Sequence, residues 1–262
     1  MKACTLMSGS SGNAIYVETK EAKVLIDAGQ TGKRITQALE EVCSVSPKEL
    51  DAIIITHAHR DHISGAGVLS RRFSLPIYAT EGTWHEMKPL IGAIETENIR
   101  FIDKRNKWEL KDLQIESFPT SHDAMESVGF VCSNGKVNLG IATDSGVFTV
   151  KMSTKLKNMD CLILESNHDT QMLNNGPYPW STKKRIASIM GHLSNEGAGL
   201  ALLKTLGENT KNVILAHLSE ENNKPSLALE TVRSTLEENQ LCIKDTDISV
   251  APRYKPGNCV SL

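Results

Sequence analysis

Residues 51–62, DAIIITHAHRDH, decide the fold of this chain. Three consecutive isoleucines, residues 53–55, make an apolar run that suits a buried strand and is too short for a helix of a globular protein. The motif H-x-H-x-D-H follows directly. Alternate residues of an extended segment point the same way, so His57 and His59 can converge on one metal ion while Asp61 and His62 turn toward another. Imidazole and carboxylate groups are ligands of Zn²⁺ and similar ions, so the stretch predicts a metal site.

The composition describes a globular protein of moderate charge. The chain has 262 residues, 40% of them hydrophobic, with a net charge of −2. This length predicts a single domain over residues 1–262, with two small domains as the alternative. The charge argues against a generally basic nucleic-acid binder but allows a local basic patch. The six cysteines are scattered and no segment approaches ~20 apolar residues, so we expect reduced thiols in a cytoplasmic protein without a membrane span.

Strand-like apolar runs and helical patterns alternate along the chain. Helical spacing predicts helices over residues 31–43 and 182–190, among others, and a short strand over residues 248–251 precedes the tail. Several polar residues stand directly after strand-like runs. These residues are Asp27, His122, Asp144, Glu165 and His217.

With its preceding strand, H-x-H-x-D-H resembles the motif of the metallo-β-lactamase superfamily. The resemblance implies an α/β fold, a four-layer αββα sandwich with metals at one edge of the two sheets. It implies that His122 supplies the third imidazole for the first metal, that Asp144 bridges both metals and that His217 binds the second. It also implies that Asp27 supports the metal-site loops without being a ligand. Aspartate at position 144, where the antibiotic-hydrolysing branch would have cysteine, argues against that branch.

The implied ligand set holds two divalent ions, Zn or Mn. The first ion takes His57, His59 and His122, and the second takes Asp61, His62 and His217, with Asp144 bridging. Two such ions lower the pKa of bound water, which predicts hydrolysis by a hydroxide held between them. Asp61 can orient that hydroxide and is therefore also a candidate catalytic residue.

Three further segments refine the prediction. Glu165, and His192 in GHLSN, resemble the pair with which nuclease members of the superfamily protonate the leaving oxygen. The loop SGSSGN, residues 8–13, has the composition of a simple turn but could form a backbone nest for a phosphate. Together SGSSGN, ESNHD and GHLSN resemble the YycJ/WalJ-like exonuclease branch over residues 2–251. That resemblance favours phosphate binding by Ser10, Ser11 and Asn13.

The branch resemblance implies a 5′-to-3′ DNA exonuclease linked to DNA repair, with DNA favoured over RNA as substrate. The alternative is a small-molecule phosphodiesterase or glyoxalase-type thioesterase on the same metal site. A non-catalytic metal-binding protein is disfavoured by the complete ligand set. The sequence does not predict the native metal, the oligomeric state or the role of His168. We interpret His85 as an ordinary surface or core histidine. Candidate basic groups for a nucleic-acid track are Arg60, Arg71, Arg72, Lys104, Arg105, Lys107, Lys183, Lys184 and Arg185.

Overall fold

Two mixed β-sheets face each other in the computed structural model, which describes residues 1–103, 107–241, 245–257 and 259–262. In chain order, the strands of the described residues are β1 (Lys2–Met7), β2 (Ala14–Glu18), β3 (Lys23–Ile26), β4 (Ala52–Ile54), β5 (Ile77–Ala79), β6 (Ile99–Phe101), β7 (Lys107–Leu110), β8 (Leu113–Pro119), β9 (Val128–Ser133), β10 (Asn138–Ala142), β11 (Cys161–Glu165), β12 (Asn212–Ala216), β13 (Asp247–Val250) and β14 (Cys259–Ser261). The first sheet has the order β14-β1-β2-β3-β4-β5-β6, and the second β13-β12-β11-β10-β9-β8-β7.

Helices cover the outer face of each sheet. The α-helices of the described residues are α1 (Gly32–Ala38), α2 (Arg60–Ile63), α3 (Ala66–Phe73), α4 (Glu81–Ile91), α5 (Val150–Lys155), α6 (Thr170–Asn175), α7 (Trp180–Ile186), α8 (Asn195–Thr205) and α9 (Pro225–Glu238). The helices α1, α3 and α4 pack on the first sheet, and α5, α8 and α9 pack on the second. None of these helices is both long enough and apolar enough to cross a bilayer.

The strand periodicity of two separates the buried side chains into three cores. In β4, Ala52 and Ile54 point into the core between the sheets, whereas Ile53 points to the helices of the first sheet. In β12, Ile214 points between the sheets and Val213 points to the helices of the second. Three cores between four layers are the predicted αββα sandwich, so the fold prediction is confirmed.

The parallel strands bring the polar strand ends to one edge. The strands β3 to β6 are parallel, as are β10 to β13, and β8 runs in the direction of β10 because both are antiparallel to β9. The residues that follow β3, β4, β8, β10 and β12 therefore lie at the carboxyl edges of the sheets, where ligand sites of such sheets form.

Three local predictions differ from the structure. The helix predicted over residues 31–43 divides into α1 and a π-helical turn over Leu39–Cys43, which buries both Leu39 and Cys43. The helix predicted over residues 182–190 ends at Ile186, because a tight turn follows it. The tail contains β14, which pairs with β1.

Candidate metal centre

After β4 the central motif continues as extended chain and then forms the single helical turn of α2. His59 is still extended, with φ −66° and ψ 148°, and α2 begins at the next residue. That single helical turn carries Asp61 and His62 away from the direction of His57 and His59. Gly29 lies beneath it, and a Cβ atom there would stand 1.7 Å from the carbonyl oxygen of Asp61. Only glycine permits this approach of the loop after β3 to α2.

The first cluster consists of the three imidazoles predicted for the first ion. The Nε2 atom of His122 lies 3.1 Å from Nδ1 of His59, and the ring centres of His57 and His122 are 5.0 Å apart. One ligand atom from each ring lies within 4.8 Å of the others. His57 and His122 are buried.

Hydrogen bonds outside the cluster fix which nitrogen faces it. The carbonyl oxygen of Gly191 can only accept, so His122 donates from Nδ1 at 2.9 Å and keeps a lone pair on Nε2. His57 Nδ1 lies 3.0 Å from the Thr56 hydroxyl, which donates to Asp27 at 2.8 Å. These partners orient the rings as the outer hydrogen bonds of metal-binding histidines do.

The second cluster consists of Asp61, His62 and His217. The Nε2 atoms of His62 and His217 lie 3.5 and 3.3 Å from Oδ2 of Asp61. His62 Nδ1 contacts Asp27 at 2.7 Å, so Asp27 supports rings of both clusters, as the resemblance implied. Asp144 lies between the clusters, with Oδ2 3.3 Å from His62 Nε2 and Oδ1 3.8 Å from His122 Nε2.

The two clusters differ in electrostatics. Burial, followed by the neighbouring imidazoles, lowers the pKa of His57 well below its ordinary value, which keeps this ring neutral. Burial opposes a charge on His62 as well, but Asp144, Asp27 and Asp61 outweigh it and raise the pKa of His62 well above its ordinary value. Burial is likewise outweighed at His217, where Asp144, Asp61 and Glu165 raise the pKa to about 10. The carboxylates thus favour positive charge in the second cluster.

Two buried acceptor atoms indicate whether the side chains of the candidate centre suit bound cations. Within the described chain, His57 Nε2 and Asp144 Oδ2 have no hydrogen-bond partner, although both are buried. Such groups cost free energy unless something satisfies them. Neutral imidazole nitrogen and carboxylate oxygen are donors that divalent transition-metal ions accept, so the side chains present fit bound cations.

Glu165 and His192 lie beside the second cluster. Oε1 of Glu165 contacts Nδ1 of His192 at 2.8 Å and Nδ1 of His217 at 3.0 Å. Oε2 accepts hydrogen bonds from the backbone N–H groups of Ser145 and Leu193. Burial would raise the pKa of Glu165, but the two imidazoles hold it well below its ordinary value. One buried carboxylate therefore orients both the predicted general acid and a predicted ligand.

The SGSSGN loop borders the second cluster. Its three predicted phosphate-binding residues differ in burial. Ser10 and Ser11 are exposed, whereas Asn13 is buried. The Asn13 side chain accepts from the N–H of Gly9, and its Nδ2 lies 3.1 Å from His62 Nε2 and 3.4 Å from Asp61 Oδ2. Asn13 thus reaches the second cluster itself, and the two serines face outward.

Three residues at this edge have a left-handed backbone conformation. Asp27 and His217 directly follow strands, Asp144 is the second residue after β10, and their φ values are 60°, 57° and 57°. The left-handed region costs a residue other than glycine roughly 1–2 kcal/mol, less for aspartate and asparagine. These turns point the three side chains back across the sheet edge, so the strain is spent where the candidate ligands converge.

Sequence reasoning missed Asp123, which reaches the first cluster. Its Oδ1 lies 3.5 Å from His122 Nε2, and its carboxylate receives two hydrogen bonds from Arg185. The position next to His122 was the available signal. Arg185 is thus one member of the basic set at the rim of the centre, and Arg60 stands within the motif at the start of α2. Arg71 instead caps the end of α4 by donating to Ile91.

Two further histidines, His85 and His168, are not members of the two clusters. His85 is exposed on α4, and His168 is buried in an isolated bridge with Ser194. Lys104 and Arg105 lie outside the described residues.

Comparisons with known proteins agree with this architecture. The model of the family described as "Beta-lactamase superfamily domain" matches residues 22–218. Exodeoxyribonuclease YycJ of Bacillus anthracis is 42% identical over 89% of this chain and 88% of its own. Exodeoxyribonuclease WalJ of Streptococcus pneumoniae serotype 2 is 40% identical over 95% of this chain and 91% of its own.

A solved structure shows the same fold. The metallo-β-lactamase fold protein YhfI of Bacillus subtilis superposes with a TM-score of 0.75 at 16% identity, covering 99% of this chain and 98% of its own. The predicted family is therefore confirmed: the chain belongs to the metallo-β-lactamase superfamily, in one family with the YycJ and WalJ proteins.

Proposed function

We propose that this protein is a metal-dependent 5′-to-3′ DNA exonuclease. The observation that carries the proposal is the meeting of two ligand clusters at Asp144, directly beside the Glu165–His192 pair. The relatives that match nearly the whole chain are named exodeoxyribonucleases, which supports DNA over RNA as the substrate.

His57, His59 and His122 would hold the first of two divalent ions, and Asp61, His62 and His217 the second, with Asp144 shared. When bound, such ions neutralise charge on a phosphate and make water a nucleophile at neutral pH. The imidazole-rich first cluster suits Zn²⁺, and the carboxylates of the second suit Mn²⁺ as well.

The chain's own side chains then orient and move protons. Asp61 Oδ2 lies between the Nε2 atoms of His62 and His217, and can accept a hydrogen bond from the attacking water. Asn13 Nδ2 faces the same space and can donate to a phosphate oxygen. His192 donates from Nδ1 to Glu165, which leaves its Nε2 as the atom that gives a proton to the leaving oxygen.

We also propose the compartment and the process in which the enzyme acts. Cys4, Cys43, Cys132, Cys161 and Cys259 are free thiols, as a reducing compartment would leave them, so we place the enzyme in the cytoplasm. A nuclease that removes nucleotides from DNA ends suits DNA repair.

Degradation of end-labelled DNA tests the proposal. A 3′-labelled linear strand should yield a ladder that shortens with time, whereas a 5′ label should appear at once in mononucleotides or very short products. A chelator should abolish both, and Zn²⁺ or Mn²⁺ should restore them. Circular single strands and the same sequence as RNA are the controls, and both should be cut far more slowly.

The reverse labelling pattern, or cleavage of circles at a comparable rate, would contradict a 5′ exonuclease. Hydrolysis of a small phosphodiester or thioester without cleavage of any nucleic acid would contradict the choice of a polymer substrate.

A further inference from the structure

The segment between β13 and β14 crosses over the SGSSGN loop and places one arginine there. Nη1 of Arg253 lies 3.3 Å from the Ser11 hydroxyl, and Nη2 donates to the carbonyl oxygen of Leu218. A Cβ atom on Gly9 would stand 3.0 Å from the guanidinium group. Arg253 therefore rests against the loop and against the residue that follows His217.

The charge of Arg253 is not neutralised by a carboxylate. Within the described part of the chain, its guanidinium forms no ion pair. Glu220, an acidic side chain in the lining of the adjoining cleft, instead accepts a hydrogen bond from the Tyr254 hydroxyl. Arg253 is half-buried, so solvent screens its charge less than that of an exposed lysine.

A cleft of about 500 Å³ opens beside the guanidinium group. Its lining includes Ser8, Leu218, Arg253, Tyr254 and Lys255. Lys255 is exposed and adds a second positive charge, and the Tyr254 side chain is 62% exposed beside the arginine. Ser11 contacts the guanidinium group but is not part of this lining. A cationic fork, a serine hydroxyl and a flat aromatic ring are the groups that recognise a nucleotide through its phosphate and its base.

The cleft is tied to the candidate metal centre at both ends of the loop. Ser8 Oγ accepts a hydrogen bond of 2.8 Å from the backbone N–H of His217. At the other end, the Asn13 N–H donates to the carbonyl oxygen of Asp61 at 2.7 Å. A phosphate bound by Arg253 and Ser11 would therefore be held at a fixed place next to the second cluster.

We propose that Arg253 and Ser11 bind the 5′-terminal phosphate of the DNA strand, with the terminal base against Tyr254. The inference rests on the proposed exonuclease function and names the end group that the enzyme selects. Holding the end phosphate positions the next phosphodiester linkage at the two clusters, which is how a remote binding group raises the rate at one linkage. The guanidinium group has five donors, and Ser11 and Leu218 engage two of its nitrogens, so others remain to bind phosphate oxygens.

The test compares matched strands with a 5′-phosphate and a 5′-hydroxyl, measured as kcat/KM. The wild type should prefer the phosphate. In Arg253→Met this preference should fall by roughly 10- to 100-fold, the effect of losing a charged hydrogen bond to an ionised group. Arg253→Lys should keep part of it, since it retains the charge but loses the fork. The control Arg233→Met removes an exposed arginine of α9 and should keep the wild-type preference.

A direct binding measurement separates this inference from the proposed function. Thymidine 5′-monophosphate should bind the wild type at least about tenfold more tightly than Arg253→Met, whereas thymidine should not distinguish them. If no DNA is cut but this difference is found, the exonuclease proposal fails and the phosphate site stands. If Arg253→Met loses activity equally on both end groups, or binds the nucleotide as the wild type does, Arg253 only fastens the tail and the inference is wrong.

Discussion

Replacing Asp144 by asparagine should lower the rate of DNA hydrolysis by at least about 10³-fold, because the loss of charge between two cations amounts to several kcal/mol. The fold should survive, since asparagine has the same shape and tolerates the left-handed backbone at φ 57°. Oδ2 of Asp144 accepts no hydrogen bond in the described chain, so no hydrogen bond at that atom is lost.

The measurement is the initial rate of hydrolysis at saturating metal, together with the midpoint of thermal unfolding. The control is Asp160→Asn. Asp160 lies before β11, at the opposite edge of the same sheet, so this variant should hydrolyse DNA at nearly the wild-type rate. Near wild-type hydrolysis by Asp144→Asn with unchanged metal content would refute its assigned role. Asp61→Asn should behave like Asp144→Asn, because its carboxylate is shared by His62 and His217.

Replacing His192 by alanine should slow hydrolysis of DNA by about 10²–10⁴-fold, the usual contribution of a general acid. An aryl phosphodiester should lose far less, because its leaving group departs without a proton. Glu165→Gln should reproduce part of the difference between the substrates, since Glu165 Oε1 accepts a hydrogen bond from Nδ1 of His192 and orients the ring.

The ratio of the two losses is the informative quantity, because a merely structural role would lower both rates together. His85→Ala removes an exposed histidine of α4 and should leave both rates at the wild-type value. An equal loss on DNA and on the aryl ester would remove His192 from the acid role.

Glu165 contacts both the predicted general acid and a predicted metal ligand. The carboxylate contacts Nδ1 of both His192 and His217, so a change at Glu165 disturbs the acid and a candidate ligand together. Glu165→Gln should therefore also weaken metal binding, whereas His192→Ala should not, because the resemblance gives His192 no part in the ligand set.

The sequence predicted the parts of the site that follow strands. An apolar run ending in a polar residue marks the carboxyl edge of a buried parallel strand, and Asp27, His122, Asp144 and His217 stand at or just past such runs. Their roles came from the family resemblance. The pairing of the sheets, which brings these residues to one edge, could be expected only from the family resemblance. Periodicity does not say which strand pairs with which.

The contacts that sequence reasoning missed depend on the path of the chain in space. Arg253 lies 35 positions after Leu218 and meets it only because the tail returns to β1 through β14. Asp123 is next to His122 in sequence, but its contact with Arg185 forms only because α7 packs beside it. The Arg253–Leu218 and Arg185–Asp123 contacts have no local pattern, since both are set by packing between elements that are distant in sequence.

Metal analysis of the purified protein, dialysed against excess Zn²⁺ or Mn²⁺, tests the central claim that these side chains form a two-ion centre. The wild type should bind two equivalents, and a variant with both His57→Ala and His59→Ala should bind about one, because it keeps Asp61, His62, Asp144 and His217. The control His85→Ala should bind two. A wild type and a double variant that both bind no metal under these conditions would contradict the account.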